Sequence, residues 1–340
     1  MSPPSKYFNF SEAVAEAQRD YPKETEGVTF IDTSAPDAAD KLLKWAQEEG
    51  LNQTQFDSMM THLKSQSAFV RESKSTGHRL LAVPVDRAPE KWGFEGEKDK
   101  SAFFVFNHEL GHLVVPECIA GDSSKSTEYR EHAADTFAMM RSLQQGVVDK
   151  KDIIAKSNDR GHSMLVTGDL THLTSMSLDA MAINPKNIDF LSLSAKEIVK
   201  IAQKHAAVFE MDSKTESAFL KVRRAGMAAQ QDGLIADAVE HRLHELSYIC
   251  LSSKPDSATF YIAARILNNA LETGTVKYAG QTISFDNKNE HWQHVKDTLA
   301  QRAGGRDIGG VKALQSQDLS KPQETGFMAQ IKQAVTPLKI

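Results

Sequence analysis

The chain has 340 residues, 25% charged and 40% hydrophobic, with 40 lysines and arginines against 45 aspartates and glutamates and a formal charge of −5. That is the composition of an ordinary folded protein, and it excludes low-complexity, collagen-like and disordered classes. No basic surplus exists to neutralise a phosphate backbone, so no nucleic-acid partner is expected.

In chain order, residues 11–20 and 37–49 read as short amphipathic helices, the second carrying Leu42, Leu43 and Trp45. A third is expected over residues 53–70, where Phe56, Met59, Met60 and Leu63 recur at helical spacing. Residues 28–31 and 80–83 are the strand candidates. Pro84 cannot donate to a ladder, which places the second of them at a sheet edge. Residues 86–100 read as a loop. From 101 to 115 the chain can form about four helical turns, closed by Pro116, although Phe103-Phe104-Val105-Phe106 also suits a strand. A Gly/Ser break near 121–126 precedes a long helix over 127–145. Beyond Gly146 helical signals dominate, at 194–209, 213–230, 235–251, 257–271 and 291–302, with one hairpin over 276–285 turning at Ala279-Gly280. The expected organisation is therefore a core over 1–145, a helical lobe over 146–303 and a linker with a loosely held tail over 304–340. The fold class is α+β, predominantly helical.

One stretch carries chemistry. His108-Glu109-Leu110-Gly111-His112 places two imidazoles at i and i+4, nearly in line along a helix, where both can reach one metal ion. Glu109 projects beside them and can act as general base on a metal-bound water. Gly111 is a poor helix former, so its presence points to close backbone approach by a neighbouring element. Catalytic zinc takes three protein ligands and keeps one position open. Glu131, 19 residues after His112, would complete a His-His-Glu set. Asp135 shares its helix face and can accept the N–H of a ligating histidine, His108 being the expected one. Ala133 and Ala134 are small enough to let the two helices approach. An exposed helix with a capping glutamate, or His132 as the ligand, remain open alternatives.

His108-Glu109-Leu110-Gly111-His112 with Glu131-x-x-Ala134-Asp135 resembles the gluzincin zinc metallopeptidases over roughly residues 80–145. Arg130 departs from the asparagine some members carry there. The resemblance implies a zincin-like core: a small sheet whose edge strand, here near 80–83, binds extended substrate, with the active-site helix beneath and a helical C-terminal lobe closing the cleft. It implies one Zn2+ per chain held by His108, His112 and Glu131, with Glu109 as base and Asp135 as outer partner. It also implies a His or Tyr further along that donates to the developing oxyanion. His172 is the preferred candidate, followed by His162, with Tyr129 on the ligand helix.

Other polar features have plainer readings. His241 and His244 lie at i, i+3 without an evident third ligand and read as a solvated helix face. Cys118 reads as a small buried residue, and the methionines of 139–140 and 176–181 as core. Two cysteines, Cys118 and Cys250, suit a reducing compartment. No signal peptide and no run of about 18 apolar residues is visible. The expected location is cytoplasmic, with no membrane insertion, although an effector exported without a cleaved signal would look the same. Three functions compete: a zinc-dependent endopeptidase acting on a protein or peptide, a zinc hydrolase acting on a non-peptide amide, and a non-catalytic zincin-fold binding protein. Glu109 argues against the third, because a structural site needs no carboxylate between its histidines.

Overall fold

The computed structural model describes residues 7–302 except 87–93, 95–96, 117, 119–124 and 184–187; the expected tail over 304–340 lies outside the described residues. Among the described residues, thirteen α-helices and five short strands make the protein predominantly helical α+β. Among the described residues, no helix is long and apolar enough to cross a membrane. The chain divides into two units, one from residues 1–149 and 189–204, the other from 150–188 and 205–340.

The first unit opens with α1 (Phe10–Asp20), capped by the Asn9 side chain, which accepts from the Glu12 N–H. Then come β1 (Val28–Asp32), α2 (Ala38–Glu48), α3 (Gln53–Lys64), β2 (Phe69–Glu72) and β3 (Arg79–Val83). The helix expected over 53–70 stops early. Gln66 adopts φ 52°, a left-handed conformation no helix continues through, and the chain re-enters as β2. The sheet order is β1-β3-β2, with β3 parallel to β1 and antiparallel to β2. The strand over 80–83 is therefore central and not an edge. Pro84 falls one residue past β3, where its missing N–H costs the ladder nothing, and the edges are β1 and β2.

Strand alternation sorts the side chains by face. Ile31, Leu80 and Ala82 pack with Leu42, Trp45 and Met59 of α2 and α3. Phe30, paired in register with Leu81, turns the opposite way, and its ring lies 6.3 Å from Phe106 of α4 (Lys98–Val114). The aromatic run at 103–106 is thus helical, not a strand. α4 is buried on nearly every side from Ser101 to Val114, which explains its lack of a polar stripe. α5 (Thr127–Gln144) follows, and its N-cap Ser126 accepts from the Tyr129 N–H at 2.9 Å.

The second unit contains α6 (Lys150–Thr167), α7 (Ser175–Ile183), α9 (Ser213–Ala225), α10 (Met227–Gln231), α11 (Ile235–Ser252), α12 (Ala258–Thr273), the hairpin β4 (Thr275–Tyr278) and β5 (Gln281–Ser284), and α13 (Glu290–Arg302). The division between units falls inside α8 (Ala195–Phe209). The hairpin turns at Ala279-Gly280 as expected, both residues with positive φ. The helix expected over 213–230 is interrupted at Gly226. A Cβ there would sit 2.6 Å from the Ala238 carbonyl oxygen and 2.7 Å from Arg242 Nε. The core gathers Leu165, Phe219, Leu243, Phe260, Leu267 and Trp292, together with Met176. A polar network is buried beside it. Asp179 accepts from Ser157 Oγ at 2.6 Å and from Arg265 Nε at 2.9 Å, and Lys156 Nζ donates to Asp159 at 2.7 Å.

Candidate metal centre

α4 and α5 run antiparallel and meet at a glycine. A Cβ on Gly111 would lie 3.0 Å from Ala134 Cα and 3.2 Å from the Phe137 ring, so a side chain there would push the neighbouring helix back by a few tenths of an ångström. The close approach expected from Gly111 and Ala134 is thus present. One turn to either side stand the polar groups. His108 Nε2 is 3.3 Å from His112 Nε2 and 3.2 Å from Glu131 Oε2, and His112 Nε2 is 3.6 Å from Glu131 Oε1. These three residues form the one group able to hold a metal ion among the described residues. Asp135 Oδ1 lies 2.8 Å from His108 Nδ1, on the far side of that ring.

The spacing is chemically specific. Ligands at 2.0–2.1 Å from a tetrahedral ion lie roughly 3.3 Å from one another. His108 Nε2 lies at about that distance from both His112 Nε2 and Glu131 Oε2, while His112 Nε2 comes to 3.6 Å of the other carboxylate oxygen, Oε1; with one donor atom from each residue the set lies within 4.8 Å. Burial disfavours a charged His108 ring, but hydrogen bonds and charge from Asp135 and Glu131 outweigh it and raise the pKa to about 10. The surroundings of Nε2 therefore favour a positive charge at this point, which a proton or a metal ion can supply. Glu109, between the two histidines, is also buried, at 6% exposure.

Behind the ligand helices lies a set of contacts that the spacing of the motif does not reveal. Buried Asn107 donates from Nδ2 to Ser142 Oγ at 3.0 Å and to Gln145 Oε1 at 2.9 Å, tying α4 to α5 a second time. Gln145 Nε2 donates to Glu16 of α1 at 3.0 Å, and Arg141 Nη1 donates to Asp20 at 2.8 Å. Phe8 and Phe10 pack on Phe103 and Phe106 of α4. The only local signal was an amide directly before His108, on a helix otherwise apolar there.

The other candidates have their own partners. His132 Nε2 lies 3.5 Å from Glu128, and the metal-capable group takes Glu131 in its place. The Tyr129 hydroxyl is 3.5 Å from the Gln203 carbonyl oxygen. His172 and His162 belong to the second unit. His172 Nδ1 lies 2.7 Å from Asp169 Oδ2, in the segment after α6. Burial raises the Asp169 carboxyl, but His172 outweighs it and holds the carboxyl below its ordinary value. His162 Nδ1 lies 3.0 Å from the Lys277 carbonyl oxygen on β4. Cys118 is buried, as are Met139, Met140, Met176 and Met181. No known protein family, curated protein or solved structure matches the chain.

Proposed function

We propose that the chain is a zinc-dependent endopeptidase whose metal is held by His108, His112 and Glu131. The observation that carries this reading is the convergence of the three donors within 4.8 Å together with the Asp135 contact behind His108. Two imidazoles and one carboxylate are the donor set of hydrolytic zinc, with one position open for water. A zinc ion bound there would polarise a carbonyl and acidify a water.

The chain's own residues do the rest. Asp135 accepts the Nδ1 proton of His108 and so leaves Nε2 as the donor lone pair. Glu109 is placed next in sequence to His108 to take a proton from the attacking water and return it to the leaving amine. A structural site would have no use for that carboxylate. An extended peptide is the substrate this chemistry suits, paired along an edge strand of the sheet, β1 or β2.

The test begins with metal content. The purified protein is expected to hold about one zinc per chain, and His108→Ala to lose it. Glu109→Gln is expected to keep the zinc and to cleave a peptide library about 10²–10⁴-fold more slowly, the usual contribution of a general base. No tight zinc in the native chain would overturn the centre. Zinc retained with equal cleavage by Glu109→Gln would overturn the mechanism.

A further inference from the structure

We propose that the stacked rings of His244, His291 and Trp292 form an acid-sensitive latch that holds α13 on α11 at neutral pH and loosens its first turns in acid. His244, which has no third ligand beside His241 in sequence, meets α13 through ring contacts instead. The His244 ring lies 4.8 Å from both His291 and Trp292, and His291 lies 4.6 Å from Trp292. Trp292 is buried, while both histidines are exposed, so protons reach them freely.

The far end of α13 is fastened separately. Arg302 Nη2 donates to the Ser253 carbonyl at 2.5 Å, and its guanidinium lies over the Phe260 ring. Loosening therefore begins at the histidine end.

The charged and titratable neighbours that act on His244 are His291, Glu240 and His241. Glu245 of α11, Glu290 and His294 of α13, and Asp286 and Lys288 before α13 are the other such residues adjacent in sequence. Glu240 Oε1 is 3.8 Å from His244 Nε2 and, with the Trp292 face, accommodates one proton. A second puts two cationic rings in contact, which the stack opposes. Burial, His291 and His241 together hold the His244 pKa below its ordinary value against the pull of Glu240. A base with a lowered folded pKa contributes its full stability above the unfolded value, near 6.5, and loses it as the pH falls below that value. The latch is thus closed above pH 6.5 and weakens toward pH 5.

Hydrogen exchange of the whole protein tests this, read on peptides covering 290–302 against peptides of α12, with intrinsic rates corrected. Protection of α13 is expected to fall more than that of α12 between pH 7.5 and 5.5, by at most about tenfold, the limit for one histidine whose unfolded pKa is near 6.5. His244→Gln should keep protection at pH 7.5 and remove the pH dependence, and His291→Gln should lessen it, because burial and His241 still act on His244. His294→Gln, which shares the helix, should leave the dependence intact. Equal protection of α13 at both pH values would overturn the latch, as would a dependence that survives in both glutamine variants.

Discussion

At His108 the 2.8 Å contact between Nδ1 and Asp135 occupies one ring nitrogen, and Nε2 is left 3.2 Å from Glu131 and 3.3 Å from His112. Orientation of this kind is worth a large part of a metal's affinity, because a ring free to rotate or change tautomer must be fixed when the ion binds. Asp135→Asn can still touch Nδ1 but can offer its NH2 there, which favours the other tautomer. Zinc affinity is expected to fall 10–100-fold with the fold intact. Competition against a chromogenic chelator measures it, and an unchanged dissociation constant would remove Asp135 from the site. Within each helix the pairs were legible in sequence, because helical pitch sets i, i+4; that the two pairs meet, 27 positions apart at His108 and Asp135, followed from the need for a third ligand and from the resemblance, not from periodicity. Asn107, Arg141 and Glu16 were not legible. Their partners lie 35, 121 and 129 positions away, and no periodicity links them.

Gly111 sets how closely two whole helices can lie. The neighbour of its missing Cβ is Ala134 Cα, part of a helix backbone, so relief requires α4 and α5 to separate and not merely a rotamer to change. Gly111→Ala gains about 1 kcal/mol in helix propensity and should lose more than that to overpacking, which costs typically 1–3 kcal/mol. The larger effect falls on the centre, since Glu131 and Asp135 move with α5 while His108 and His112 stay with α4. The variant is expected to melt a few degrees lower and to bind zinc at least tenfold more weakly; equal affinity would show that the helix spacing does not set the ligand geometry. The same scale shows where sequence reading ended. Long helices with strong periodicity are legible in the sequence, and what is not legible is decided by one residue's backbone state or one long-range pairing. Gln66 ends α3 by adopting φ 52°, a choice that composition does not encode. Whether β3 is central depends on β1 and β2 arriving on either side of it, and β2 is only four residues long. Gly226 divides α9 from α10 because buried Arg242 passes there, with Nη1 2.8 Å from the Leu165 and Val166 carbonyl oxygens at the end of α6.

Two compact units, one of them holding the candidate centre, make a prediction about how the whole molecule responds to metal removal. A ligand that binds only the folded state stabilises it by mass action, by about 2.7 kcal/mol when the free metal stands at 100 times its dissociation constant. All three donors belong to the first unit, so that increment is credited there. In a unit of some 150–250 residues each kcal/mol is worth roughly 2–4 °C, which gives a shift of about 5–10 °C. The chain carries its own reporters, one buried cysteine in each unit: Cys118 in the first and Cys250 in the second. Burial pushes the Cys250 thiol pKa upward, so labelling there waits for the second unit to open. Heating the protein with a maleimide and weighing its peptides therefore yields two midpoints from one sample. Chelation is expected to lower the Cys118 midpoint by that 5–10 °C and to leave the Cys250 midpoint in place. A shift of both by the same amount, or of neither, would show that the metal does not stabilise the first unit on its own.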